Sequence, residues 1–177
     1  MTNKAFDDFV AKQTSETQRS QLDWSKERDE WLRYLEKFYK KVESFLHDYL
    51  SKGQIKIDYV TKKISEEYIG VYEVKSAIIQ LGRNQIRLDP IGTNLIGAKG
   101  RVDMIGPNGE VKFLLVRRHA PPPKVSILPP GMQRAPEPEE PKRIEWSWKI
   151  ATSPPPIKYI ELQQESFFDA LMEVANG

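Results

Sequence analysis

The sequence predicts an α+β fold: a long N-terminal helix, an antiparallel sheet of about five or six strands, a proline-rich strap and a short C-terminal helix. Two observations carry this. Apolar residues recur with a helical period through the first third of the chain, and with a period of two after Gly53. The helical and strand patterns are also segregated rather than alternating, which favours hairpin-linked strands over βαβ units.

The helical signal is a heptad seam. Trp24, Trp31, Leu35, Phe38, Val42, Phe45 and Tyr49 follow one another at steps of seven, three or four, the spacing of a coiled coil, with Arg28 as the one interior break. Leu32, Tyr39 and Leu46 form a second row, so the apolar face is wider than a two-stranded seam needs. Residues 4–19 read as a weaker helix anchored by Phe6, Phe9 and Val10. Gly53 supplies the stop. A helix over residues 24–51 runs about 42 Å, longer than most small sheets cover. Residues 1–52 are therefore read as a helical segment with apolar surface to spare, and residues 53–177 as the sheet domain.

Short strands follow. Ile55, Ile57 and Tyr59 alternate with Lys56 and Asp58. Tyr72, Val74, Ser76 and Ile78 alternate with Glu73, Lys75 and Ala77. Ile86 and Leu88, Val102 and Met104, then Val111, Phe113 and Leu115 mark three more. Between the last two, Gly106-Pro107-Asn108-Gly109 has the chemistry of a tight turn, and its register sets Asp103 opposite Lys112 and Val102 opposite Phe113. Residues 119–142 are rich in proline and read as a long loop or strap, which could cover a sheet edge. Ile144, Trp146, Trp148 and Ile150 form the strongest strand pattern, and their bulk demands burial. Phe167, Phe168, Leu171, Met172 and Val174 lie within a final helix over residues 163–175.

Composition narrows the chemistry. The chain has 177 residues, a formal net charge of +2 and no cysteine, so disulfides, thiolate metal sites and cysteine nucleophiles are excluded. No apolar run approaches the roughly 18 residues of a membrane span, and the N-terminus lacks the pattern of a secretory signal. The expected setting is cytoplasmic, with no membrane partner and no cofactor. His47 and His119 show no metal spacing. Gly92 to Gly100 misses the Gly-Lys-Ser/Thr ending of a phosphate-binding loop, and reads as a turn with Gly97 or Gly100 at positive φ.

Two functional expectations remain. The first is a non-catalytic interaction or accessory module. In it Trp24, Trp31, Leu35, Phe38 and Phe45 dock a protein partner or a second copy, with apolar burial supplying affinity. The second is a nucleic-acid-associated protein, in the limit a divergent or inactive nuclease. Residues 53–118 carry the basic excess, and Arg87, Lys99, Arg101, Arg117 and Arg118 would meet phosphates. Asp103, near Glu110 and Lys112, would be its metal ligand, although Glu110 falls at the turn and leaves Asp103 without a well-placed second carboxylate.

Overall fold

The computed structural model describes residues 4–93, 95, 97–118, 144–153 and 156–176. The proline-rich segment 119–142, with His119, lies outside the described residues.

The apolar period of the first third produces one unbroken helix, α1 (Lys4–Ser51), 48 residues long and so about 72 Å from end to end. It absorbs the weaker N-terminal stretch as well as the heptad seam. Gly53, at φ 68°, ends it: the Gly53 N–H donates to Leu50 O and the Gln54 N–H to Tyr49 O.

Seven antiparallel strands then run up and down in sequence order: β1 (Ile55–Glu66), β2 (Gly70–Leu81), β3 (Asn84–Gly92), β4 (Gly100–Gly106), β5 (Gly109–Arg117), β6 (Trp146–Ala151) and β7 (Tyr159–Glu161). The sheet is larger than the five or six strands expected. The Gly106-Pro107-Asn108-Gly109 turn sets the register as its chemistry dictates, with Asp103 opposite Lys112 and Val102 opposite Phe113. The closing helix α2 (Gln164–Asn176) packs over β3, β4 and β5, and the Asn84 and Asn108 amides both donate to its Ala175 carbonyl.

One core joins α1, α2 and the sheet. It includes Trp31, Phe38, Val42, Leu46, Leu88, Met104, Phe113, Trp148 and Phe167. Two glycines of β4 make this close packing possible. A Cβ at Gly100 would sit 2.1 Å from the Trp31 ring, and one at Gly106 would sit 2.3 Å from the Val174 carbonyl oxygen. Gly100 is thus a packing glycine, while Gly97, at φ 81°, takes the turn conformation.

The β1–β2 ribbon departs from simple alternation. Tyr72, Val74 and Ser76 are buried, and so are Ala77 and Ile79. No register shift separates the two sets in the β1–β2 ladder, so they lie on opposite faces. Pairing of β2 with β3 stops at Ala77–Leu88. Beyond it the ribbon continues alone, and two-stranded ribbons twist more strongly than wide sheets. Its tip reaches α1, where Tyr68 stacks on Trp24.

Candidate interaction surface

The residues expected to bind a partner divide sharply. Trp31, Leu35 and Phe38 are 0%, 3% and 0% exposed. Trp31 lies against Gly100 and 5.9 Å from the Trp148 ring. Phe38 meets the edge of Phe113 at 5.3 Å and Trp148 at 4.8 Å. Phe45 is half-buried against Phe167 at 5.7 Å. These side chains are sheltered by their own fold, and a partner would reach Trp31, Leu35 or Phe38 only by displacing that cover. The cover comes from β4, β5, β6 and α2, through Gly100, Phe113, Trp148 and Phe167. Trp24 is different. It remains 38% exposed, with one face stacked on Tyr68 at 5.0 Å and 15° between the rings.

The uncovered part of α1 lies N-terminal to the seam's docked half. Every residue from Lys4 to Trp24 is exposed. Phe6 and Phe9 are 61% and 57% exposed. The hydroxyls of this segment turn inward: Thr14 donates to Val10 O, Thr17 to Gln13 O and Ser20 to Glu16 O, at 2.8, 2.9 and 3.0 Å. They leave no unmet donor on the surface.

Where the free segment meets the body, several contacts fasten it. Lys99 pairs with Glu30 at 2.7 Å and Glu27 at 3.3 Å, and lies over the Trp146 ring at 5.1 Å. Partial burial works to lower its pKa, but the two carboxylates outweigh that and the pKa rises. On the ribbon, the Glu66 carboxylate accepts from the Thr93 N–H, the Thr93 hydroxyl and the Tyr72 hydroxyl. A cavity of about 160 Å³ opens beside the stack, lined by Trp24, Glu66, Glu67, Tyr68, Ile69, Thr93 and Leu95. Glu66 and Glu67 serve the same cavity because the strand ends between them and its two-residue alternation no longer applies. Tyr68 was not legible as a site residue. It stands alone in a turn, and nothing local links it to Trp24.

The residues of the second expectation are mostly occupied. Arg101 grips Asp103 in a bidentate pair, both contacts 2.6 Å, and Asp103 is 4% exposed. That hydrogen bond, working against partial burial, raises the Arg101 pKa. Lys112, although opposite Asp103, pairs instead with Glu110 at 3.5 Å. The arginine fork reaches along its own strand face and takes the carboxylate first. A second carboxylate does stand beside Asp103: Asp89 is its neighbour across β3 and β4. It is held in turn by Lys62 at 2.7 Å. Among the described residues no group of three or more acidic or histidine side chains is arranged to hold a metal ion. Arg118 pairs with Glu145 at 3.0 Å, and Arg117 is also engaged. Of the five cations expected to meet phosphate, Arg87 alone has no ion pair or hydrogen bond among the described residues. It lines an open groove with Arg83, Ile78 and Ile105.

No family model, curated protein or solved structure matches the chain. Among the described residues no helix is long and apolar enough to cross a membrane.

Proposed function

We propose that the protein is a non-catalytic interaction module that binds another polypeptide chain through the free N-terminal segment of α1, residues 4–24. The observation that carries this reading is the division of one helix into a docked half and a half in which every described residue is exposed. Folding stability gains nothing from exposed Phe6, Phe9 and Val10, whereas a partner chain would bury them. The interface therefore moves off Trp31, Leu35 and Phe38 and onto Phe6, Phe9, Val10 and Trp24.

The test is a photo-crosslinking side chain placed at Thr17, in the middle of the free segment, in the full chain in cells of its source. The expected result is a discrete protein adduct from Thr17. Absence of any adduct there, with the chain folded, refutes the reading.

The nucleic-acid reading keeps one support, the groove that holds Arg83 and Arg87. The carboxylate partners of Lys99, Arg101 and Arg118 count against it, because each phosphate contact would first have to displace an acid. Duplex and single-stranded probes at low salt decide the matter. Retention that weakens steeply with added salt and is lost in Arg83→Ala/Arg87→Ala favours it. No retention removes it.

A further inference from the structure

The free segment of α1 is sorted by charge. Phe6 and Trp24 lie about five turns apart at 3.6 residues per turn, so they stand on one line of the helix. Within about 60° of that line come Phe9, Val10, Gln13, Thr17, Ser20 and Gln21, none of them charged. The charged residues of the segment, among them Asp7, Lys12, Glu16, Arg19 and Asp23, all fall outside that arc. The segment thus carries an uncharged strip about 27 Å long, apolar at both ends and polar but neutral in the middle. Its hydroxyls are already satisfied within the helix, so covering them leaves no stranded donor.

We infer that this strip pairs with the same strip of a second copy of the chain, antiparallel, so that Phe6 of each copy rests on the Trp24–Tyr68 stack of the other. This rests on the reading of α1 as a binding element and names what it binds.

The direction follows from the fold. The line through Phe6 and Trp24 continues into Leu35 and Val42, with Trp31 close beside it, and these press on the sheet. The sheet therefore stands on the side toward which the free strip faces. A parallel partner would bring a second sheet into the space the first already fills. An antiparallel partner lies in the open space beyond the sheet and carries its own sheet at the far end.

The register follows from the residues. Positions 6 and 24, like 13 and 17, are symmetric about position 15, so one reversal sets Phe6 against Trp24 and Gln13 against Thr17. Such a two-fold contact is self-complementary, as a closed dimer requires. It also gives the cavity beside Trp24 an occupant. The roughly 160 Å³ lined in part by Tyr68, Ile69 and Leu95 has room for one phenyl ring, which the second copy's Phe6 would bring.

The contact is small. About a dozen residues a side is below the roughly 20–30 of a standard interface, so the dimer should dissociate on dilution through the micromolar range.

Sedimentation velocity of the full chain over roughly 1–200 μM tests the inference. The expected result is a mass that doubles across the series. Thr17→Glu places two like charges near the two-fold and should raise the dissociation constant at least tenfold. Leu22→Glu is the control. Leu22 is 63% exposed and lies on the far side of the helix from the strip, so the dimer should be unchanged. Because the chain has no cysteine, orientation can be read directly. Gln13→Cys mixed with Thr17→Cys should give the mixed disulfide faster than either gives its own. A monomer at the top of the series overturns the inference, as do equal losses from Thr17→Glu and Leu22→Glu, or a predominance of like-with-like disulfides. The crosslinker at Thr17 separates the two levels. An adduct of twice the chain mass supports the dimer. An adduct only with a different protein overturns the dimer and leaves α1 a binding element. No adduct from a chain that also sediments as a monomer overturns both.

Discussion

Replacing Gly100 by alanine tests the contact that decides where α1 leaves the sheet. The added Cβ would lie 2.1 Å from Trp31 Cζ3, 2.3 Å from Cε3 and 3.0 Å from Cη2. Carbon atoms pack comfortably at about 3.5–4.0 Å, so two of these contacts are short by more than 1 Å. The ring has little room to retreat, since it is 0% exposed and lies 5.9 Å from Trp148. The strand cannot yield easily either, because β4 is hydrogen-bonded to β3 on one side and β5 on the other. Overpacking of this kind costs about 1–3 kcal/mol, and the upper end applies where neither partner can move. For a chain of this size that is a fall in Tm of about 6–12 °C. Thermal and urea unfolding, followed by tryptophan fluorescence and far-UV circular dichroism, measure it. Gly106→Ala is the comparison. Its Cβ would meet the Val174 carbonyl oxygen at 2.3 Å and carbon at 2.7 Å, backbone atoms of a fully buried residue whose carbonyl accepts from the Asn108 N–H, so a loss in the same range of about 1–3 kcal/mol is expected. Gly100→Ala combined with Trp31→Phe, which draws the ring back, should cost less than the two single losses added, by about 1 kcal/mol or more. A Gly100→Ala protein melting within about 2 °C of the parent, or strict additivity in the double variant, refutes the reasoning.

The remaining predictions concern charge and the free segment. Arg101→Met leaves buried Asp103 without its partner and should cost about 3–5 kcal/mol in urea unfolding. Adding Asp103→Leu should recover most of that loss, and a single variant as stable as the parent would remove the pair from the fold's support. Burial raises the pKa values of Tyr39, Tyr59 and Tyr72, assisted at Tyr59 by Glu43 and at Tyr72 by Glu66. The folded chain then keeps protons that the unfolded chain releases above pH 10 or so, so stability is full below that pH and falls above it. Lys99, whose pKa is also raised, acts in the same direction. Urea midpoints at about pH 9, 10 and 11, read beside phenolate absorbance, check this, and a flat midpoint with all tyrosines titrating near 10 in the folded protein counts against it. Deleting the chain up to Leu22 should remove the helical signal of residues 4–22 and leave Tm within about 2 °C, because every one of residues 4–22 is exposed. A larger fall would mean that the segment is held by contacts of its own.

The sequence carried the elements better than their neighbours. A heptad seam announces that a helix has an apolar face, but Trp31, Leu35 and Phe38 have the same spacing whether they meet a sheet or another chain. Deciding between the two needs the amount of cover. That comes from side chains distant in the chain, Trp148 on Trp31 and both Phe113 and Trp148 on Phe38, which no local pattern pairs with the seam. Register came through wherever local chemistry sets it, as in the two-residue turn that pairs Asp103 with Lys112. The ion pairs did not, because the reach of Arg101 along its own strand is not a matter of register. Tyr72, Val74, Ser76 and Ile78 look like a single face in the sequence. The ribbon's twist instead hands burial from Ser76 to Ala77 and Ile79, a change no local pattern records. Gly100 reads as a turn residue until Trp31 is placed over it. The Trp24–Tyr68 stack joins positions far apart in the chain, so composition is silent about it.

The docked and free halves of α1 depend on each other physically. Residues 4–24 are rich in Ser, Thr and Asp, which favour caps and turns over helix interiors. A segment of that length and composition is marginal as an isolated helix in water, because nucleation costs several ordered residues before the first hydrogen bond repays it. Continued from a helix already nailed down at Trp31, the segment only has to propagate, one hydrogen bond for each residue ordered. The Trp31–Gly100 contact therefore acts at a distance on any binding event at Phe6. It spares a partner most of the ordering entropy that a floppy tail would cost, leaving only the fraying of the outermost turns. Loosening that anchor should then weaken association even though Gly100 packs on Trp31, about two turns of helix beyond Trp24, and not on the strip itself. Gly100→Ala, read by sedimentation well below its lowered Tm, should shift the equilibrium toward monomer while Gly106→Ala, with its strain directed at α2, should not.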